Sequence, residues 1–134
     1  MKVLVDTCIW SLALRRKSVP EDPAVKELQE LIREFRVQII GPIRQEILSG
    51  IRSKNQFDNI KEHLRAFHDL EVSSSDYERA AEFFNIARKK GIQGSNTDFL
   101  ICAVADRYDM RIFTTDGDFE LFQKHFPLKL HIPR

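Results

Sequence analysis

From Phe99 to Ala105 the chain reads Phe-Leu-Ile-Cys-Ala-Val-Ala, the centre of a helical segment running from Thr97 to Tyr108. A helix that is apolar on nearly every face has no side to give to solvent, so this one lies deep in the fold. The rest of the chain alternates between strand and helix patterns. Lys2 to Val5 is a short strand, ended by Asp6-Thr7, and a short helix follows through Ile9, Trp10 and Leu12. Ser18 to Pro23, with two prolines, reads as a loop. Ala24 to Phe35 is a helix with Val25, Leu28, Leu31, Ile32 and Phe35 on one face. Val37 to Ile40 is a second strand. Gly41-Pro42 then opens a helix that carries Ile43, Glu46, Ile47 and Leu48 and ends near Gly50, with proline in the first turn, where its missing N–H costs nothing.

Phe57 to Phe67 aligns Ile60, Leu64 and Phe67 on another helix, and Leu70 to Val72 reads as a short strand. Ser75 and Glu78 form the spacing of a capping box for a long helix, whose buried stripe is Tyr77, Ala80, Ala81 and Phe84. Gly91 to Gly94 breaks the chain before the apolar helix. Arg111 to Thr114 is a strand, Phe119 to Lys124 a short helix and Leu128 to Ile132 a final strand. Strands separated by helices predict an α/β fold, a central and mainly parallel sheet with helices on both faces. No repeat, low-complexity tract or linker interrupts the pattern, and 134 residues fit one domain, residues 1–134, around one core.

Composition removes several classes of function. No apolar run approaches the roughly 20 residues of a membrane span. The N-terminal apolar stretch, Val3 to Val5, stops at Asp6, too soon for a secretory leader, so a cytosolic location is expected. Cys8 and Cys102 sit apart in apolar surroundings, and the four histidines, His63, His68, His125 and His131, add no zinc-type spacing. The net charge of +1 leaves nucleic-acid binding to local patches. Three are visible: Arg15-Arg16-Lys17; Arg44 with Arg52 and Lys54; and Arg88-Lys89-Lys90. The last reads first as a helix C-terminus, where cations complement the dipole and Gly91 supplies the cap.

The chemistry lies in the acids. Val3-Leu4-Val5 runs into Asp6-Thr7, and Ile112-Phe113-Thr114 runs into Thr115-Asp116-Gly117-Asp118. In a parallel sheet, ligands bind beyond the carboxyl ends of the strands, so Asp6 and Asp116 belong at one rim. Each also fits the start of the next helix as a cap. Asp98 opens the apolar helix and shares the stripe of Ile101, Cys102 and Ala105, while Ser95-Asn96-Thr97-Asp98 has the spacing of a capping box. The two roles are compatible, one oxygen holding the cap and the other facing a ligand. Glu46, between Ile43 and Ile47, borders the apolar face of its helix, where a salt bridge is the ordinary explanation. Gathered in one pocket, the four carboxylates would repel one another unless a divalent cation joined them. An all-oxygen donor set selects Mg²⁺ or Mn²⁺, ions that act on phosphate esters.

Four segments together resemble the PIN domain. They are Val3-Leu4-Val5-Asp6-Thr7; Pro42-Ile43-Arg44-Gln45-Glu46-Ile47; Asn96-Thr97-Asp98 with the apolar run to Ala105; and Phe113-Thr114-Thr115-Asp116-Gly117-Asp118-Phe119. Their order and spacing are similar to those of the VapC toxins of type II toxin–antitoxin operons, over essentially the whole chain. The resemblance implies a three-layer α/β/α sandwich and a Mg²⁺-dependent endoribonuclease. It assigns metal binding and water activation to Asp6, Glu46, Asp98 and Asp116, with Thr114 as a supporting hydroxyl and Asp118 as an additional acid. It implies an RNA substrate, a homodimer and a small VapB-type antitoxin that blocks the site, often with an arginine. Cys8 departs from the Asn or Ser of many relatives, which puts support from that position in doubt, since a thiol is a weak donor. Two readings stand beside this one: an aspartyl-phosphate phosphotransfer enzyme, which expects a placed lysine, and a non-catalytic domain whose acids only bind a partner.

Overall fold

The computed structural model describes residues 1–15 and 22–134. Arg16 and Lys17 of the first basic patch, and residues 18–21 of the proline-bearing loop, lie outside the described residues. The elements are β1 (Val3–Val5), α1 (Thr7–Leu14), α2 (Pro23–Arg33), β2 (Val37–Gln38), α3 (Gly41–Leu48), α4 (Lys54–Leu64), α5 (Ser74–Lys89), α6 (Asn96–Arg107), β3 (Arg111–Phe113), α7 (Asp118–Gln123) and β4 (Lys129–Leu130).

The four strands form one parallel sheet in the order β2-β1-β3-β4. Val3, Leu4 and Val5 of β1 face Arg111, Ile112 and Phe113 of β3, and all three β1 residues are fully buried. Strands covered on both faces need continuous apolar runs, which Val-Leu-Val provides. The flanking helices complete a three-layer α/β/α arrangement: α1 packs on α2 and α3, α3 on α4, and α5 along α6. Every residue of α6 from Phe99 to Ala105 is buried, as its lack of a polar face requires. No helix of the described residues is long and apolar enough to cross a membrane.

The structure shifts several predicted elements. Asp22 caps α2 and Pro23 takes its first turn, so the helix starts earlier than Ala24 and ends at Arg33. Phe35 adopts φ 56° outside it and is 84% exposed; the buried face is Ala24, Glu27, Leu28 and Leu31. The helix predicted from Phe57 begins at Lys54 under a Ser53 cap. The strand expected at Leu70–Val72 reduces to a bridge between Ile39 and Asp69. In α5 the cap is Ser73 with Asp76, not Ser75 with Glu78, and the buried stripe is Asp76, Ala80, Phe83 and Ala87. Tyr77 is 52% exposed. The rotation follows from Asp76, which turns inward to meet Arg107 of α6 at 2.7 Å.

Candidate active site

Asp6 leaves β1 and caps α1 in extended conformation. Its Oδ1 accepts the Thr7 N–H at 2.7 Å, and its Oδ2 accepts the Thr114 hydroxyl at 2.8 Å. Thr114 follows β3, the strand beside β1, so the sheet register itself sets this contact. The Thr114 oxygen also accepts the Asp116 N–H at 3.0 Å, and Asp116 Oδ1 accepts the Asp118 N–H at 2.9 Å. One threonine thus ties the turn that carries Asp116 to Asp6. Glu46 comes from α3, and its Oε1 accepts the Thr7 hydroxyl at 2.7 Å. Asp98 forms a capping box: its Oδ2 accepts the Ser95 N–H at 3.0 Å, while Ser95 Oγ accepts the Asp98 N–H at 3.1 Å. Among the described residues, the second oxygens of Asp98, Asp116 and Glu46 have no protein hydrogen bond.

Asp6, Glu46, Asp98 and Asp116 line one open cavity of about 600 Å³ with Thr7, Cys8, Gln45 and Ser49. The structure therefore brings all four predicted acids together. It does not bring Asp118 with them; that residue is exposed at the start of α7, outside the lining. Thr114 is outside the lining and reaches the pocket through its hydrogen bond to Asp6. Nothing cationic lines the cavity among the described residues, so the phosphotransfer reading lacks its lysine. Arg44, expected in a basic patch, is occupied structurally: it pairs with Asp69 at 3.0 Å and donates to the carbonyls of Leu64 and Phe67.

Electrostatics give the cavity its character. Burial pushes the Asp6 carboxyl above the usual range, and the charge of Asp116 adds to the effect, against hydrogen bonds from Thr114, Thr7 and Cys8. Asp98 is raised likewise, by burial first, with the charges of Asp6 and Asp116 adding to it and Ser95 opposing. Burial raises the Cys102 thiol beneath them, helped by Asp98 and Asp6, so Cys102 is an inert core residue. Burial and the neighbouring negative charges raise these carboxyls together, a cost that a bound cation would relieve. As placed, no three His, Cys, Asp or Glu side chains among the described residues close on one point tightly enough to hold an ion. The donors are nonetheless hard oxygens with unshared positions, and they fit Mg²⁺ or Mn²⁺ rather than a soft ion.

Three lining residues, Thr7, Gln45 and Ser49, were not anticipated. Thr7 anchors Glu46, and its place directly after a strand-terminal acid was the available signal. Gln45 and Ser49 flank Glu46 on α3. Cys8, the departure noted above, packs against this network: its Sγ lies 3.6 Å from Asp6 Oδ2 and 3.5 Å from the Thr114 hydroxyl, and it accepts from Thr115 N–H at 3.5 Å and Thr115 Oγ1 at 3.4 Å.

The family model for the PIN domain matches residues 3–124. Among curated proteins, VapC ribonuclease Mb1587 of Mycobacterium bovis and Ribonuclease VapC11 of Mycobacterium tuberculosis are each 30% identical over 126 residues, covering 91% of this chain and 92% of theirs. Among solved structures, FitAcB from Neisseria gonorrhoeae superposes with TM-score 0.76 at 21% identity, over 98% of this chain and 97% of that one. VapBC2 from Rickettsia felis, bound to a DNA fragment from its promoter, superposes with TM-score 0.77 at 20% identity, over 98% of each chain. At those identities the structures speak for the fold alone.

Proposed function

This chain belongs to the PIN-domain family, and from that premise we propose that residues 1–134 form one nuclease domain, a divalent-metal-dependent endoribonuclease that is the toxin of a VapBC-type toxin–antitoxin pair. The observation that carries the reading is that Asp6, Glu46, Asp98 and Asp116, from four separate segments, line one cavity that has no Lys or Arg in its lining among the described residues. Its curated relatives are named ribonucleases, which supports RNA as the substrate class. The VapBC2 structure and a further solved neighbour, a toxin–antitoxin complex from Klebsiella pneumoniae, support a cognate antitoxin of VapB type. The homodimer, the cytoplasmic location and Mg²⁺ as the resident ion, with Mn²⁺ able to replace it, belong to the same proposal.

The ion, when bound, lowers the pKa of water and neutralises charge on the phosphodiester. The chain's own residues hold and orient. Asp6 and Asp98 present carboxylates at the pocket floor, with Asp6 fixed by Thr7 and Thr114 and Asp98 by its capping box. Glu46 is held across the cavity by Thr7, and Asp116 is hung from Thr114. Without positive charge the four acids repel a phosphate; with it they attract one. An antitoxin arginine entering the pocket would pair bidentately with these carboxylates and occlude the substrate. Replacing Asp98 with Asn keeps the cap acceptor and removes one charge. Purified and folded, that variant should cleave RNA on the order of 100-fold more slowly or worse. Cleavage at the wild-type rate would retract the site assignment.

A further inference from the structure

A second cavity, about 400 Å³, adjoins the start of α6, where Phe99 lines it and the preceding Asp98 lines the acid pocket. Phe84 and Phe99 wall it, the Gly91–Gly94 turn rims it, and Arg88 and Gln93 lie at its edge. The turn is fixed by a C-cap: Gly91 at φ 72°, with the Ile92 N–H donating to Ala87 O at 2.9 Å. Gly94 is seated so tightly on the Phe99 and Phe122 rings that a Cβ would lie 2.8 Å from both. The rim is therefore a built surface. Phe84 is only half-buried, and its ring meets Phe99 edge-on with centroids 5.7 Å apart.

We propose that this cavity is a nucleotide subsite for the RNA strand whose scissile phosphate occupies the acid pocket, with a base against Phe84 and its phosphate held by Arg88. The proposal rests on the nuclease reading above. Charge complementarity supports it: Arg88, Lys89 and Lys90 are exposed, and among the described residues none of the three makes an ion pair or side-chain hydrogen bond. The helix dipole explains a favourable place for these cations but not an aromatic-walled cavity beside them. The Gln93 amide is likewise free among the described residues and supplies both a donor and an acceptor for a base edge. Continuity supports it too. Asp98 lines one cavity and its neighbour Phe99 the other. Three residues separate Gly94 from Asp98, at most about 14 Å of chain from one Cα to the other, which on the order of four stacked nucleotides at about 3.4 Å each would span. Aromatic stacking with a cationic border binds single strands without demanding one sequence.

The test uses the full chain carrying Asp98→Asn, in Mg²⁺, with a fluorescein-labelled 12-nucleotide single-stranded RNA of mixed sequence. Adding Arg88→Glu should weaken binding about tenfold and lower the slope of log affinity against log salt by about 0.7. Gln93→Ala should weaken it about threefold. Lys26→Glu, the same charge change on α2, should stay within about twofold. In the otherwise wild-type enzyme, Arg88→Glu should raise KM for the 12-mer with kcat retained, and leave a dinucleotide, too short to reach the second cavity, unaffected. Equal effects of Arg88→Glu and Lys26→Glu would overturn the subsite. A protein that binds through Arg88 but never cuts would retract the nuclease reading and leave the subsite standing.

Discussion

Cys8 stands in the first turn of α1, where its sulfur meets Asp6, Thr114 and Thr115 at 3.4–3.6 Å. Sulfur is larger than oxygen and accepts hydrogen bonds over a longer reach, so one side chain touches both strand ends that build the pocket. Cys8→Ser should keep the polarity but shorten the reach, leaving cleavage within a few-fold of wild type. Cys8→Val fills the same space without an acceptor. It should lower stability by about 0.5–1.5 kcal/mol and reduce kcat more than it changes RNA binding. Chemical denaturation and steady-state kinetics on the pair check this, and equal kcat for the two variants would remove the thiol from the positioning network.

Helix α6 carries the site's dependence on whole elements. Its N-terminus is fixed by Ser95 and Asp98 acting on each other's backbone, and by Gly94 lying on two phenylalanine rings. Gly94→Ala forces a methyl group into the Phe99 and Phe122 rings, so it should cost about 1–3 kcal/mol. It should also displace Asp98 and lower cleavage more than its loss of stability explains, which thermal melts beside kinetics at low temperature separate. This helix was the part of the fold easiest to read, because an all-round apolar run has one environment open to it. The strand-terminal acids were legible for a similar reason: Asp6 and Asp116 follow apolar strands, and a parallel sheet puts both at one rim. What escaped the sequence was set by distant partners. Ser73 and Ser75 both precede an acid by three residues, and only Arg107, on another helix, selects Asp76. Glu27 belongs by composition to the wet face of α2, yet it is 4% exposed because His131 and Arg134 reach it from the far end of the chain. Thr7 holding Glu46 across 39 residues is of the same kind.

Across the whole molecule two acidic centres respond to pH in opposite directions. At Glu27, burial alone would raise the carboxyl, but hydrogen bonds from His131 and from the Arg134 N–H, with the Arg134 charge, outweigh it and leave the pKa lowered. Its contribution is complete above the unfolded-state pKa and disappears as pH falls through the folded value. Glu27→Gln should therefore destabilise the protein by about 1–3 kcal/mol at pH 7, with the difference shrinking towards pH 3 in melts of the two proteins. Asp6 and Asp98 are raised, so they oppose folding above their folded pKa values and relax as pH falls through them. A cation reverses that sign. Mg²⁺ at a hundredfold excess over its Kd should add about 2.7 kcal/mol, read as a rise in Tm that is larger at neutral pH than in acid and absent from Asp6→Asn. The β1–β3 register has a consequence in time. Thr114 meets Asp6 across 108 residues of chain, and synthesis at about 5–20 residues per second separates their emergence from the ribosome by roughly 5–20 s. A nascent chain cannot assemble the pocket until β3 and its following turn have left the ribosome, so the order of synthesis delays cleavage until the two strand ends can pair.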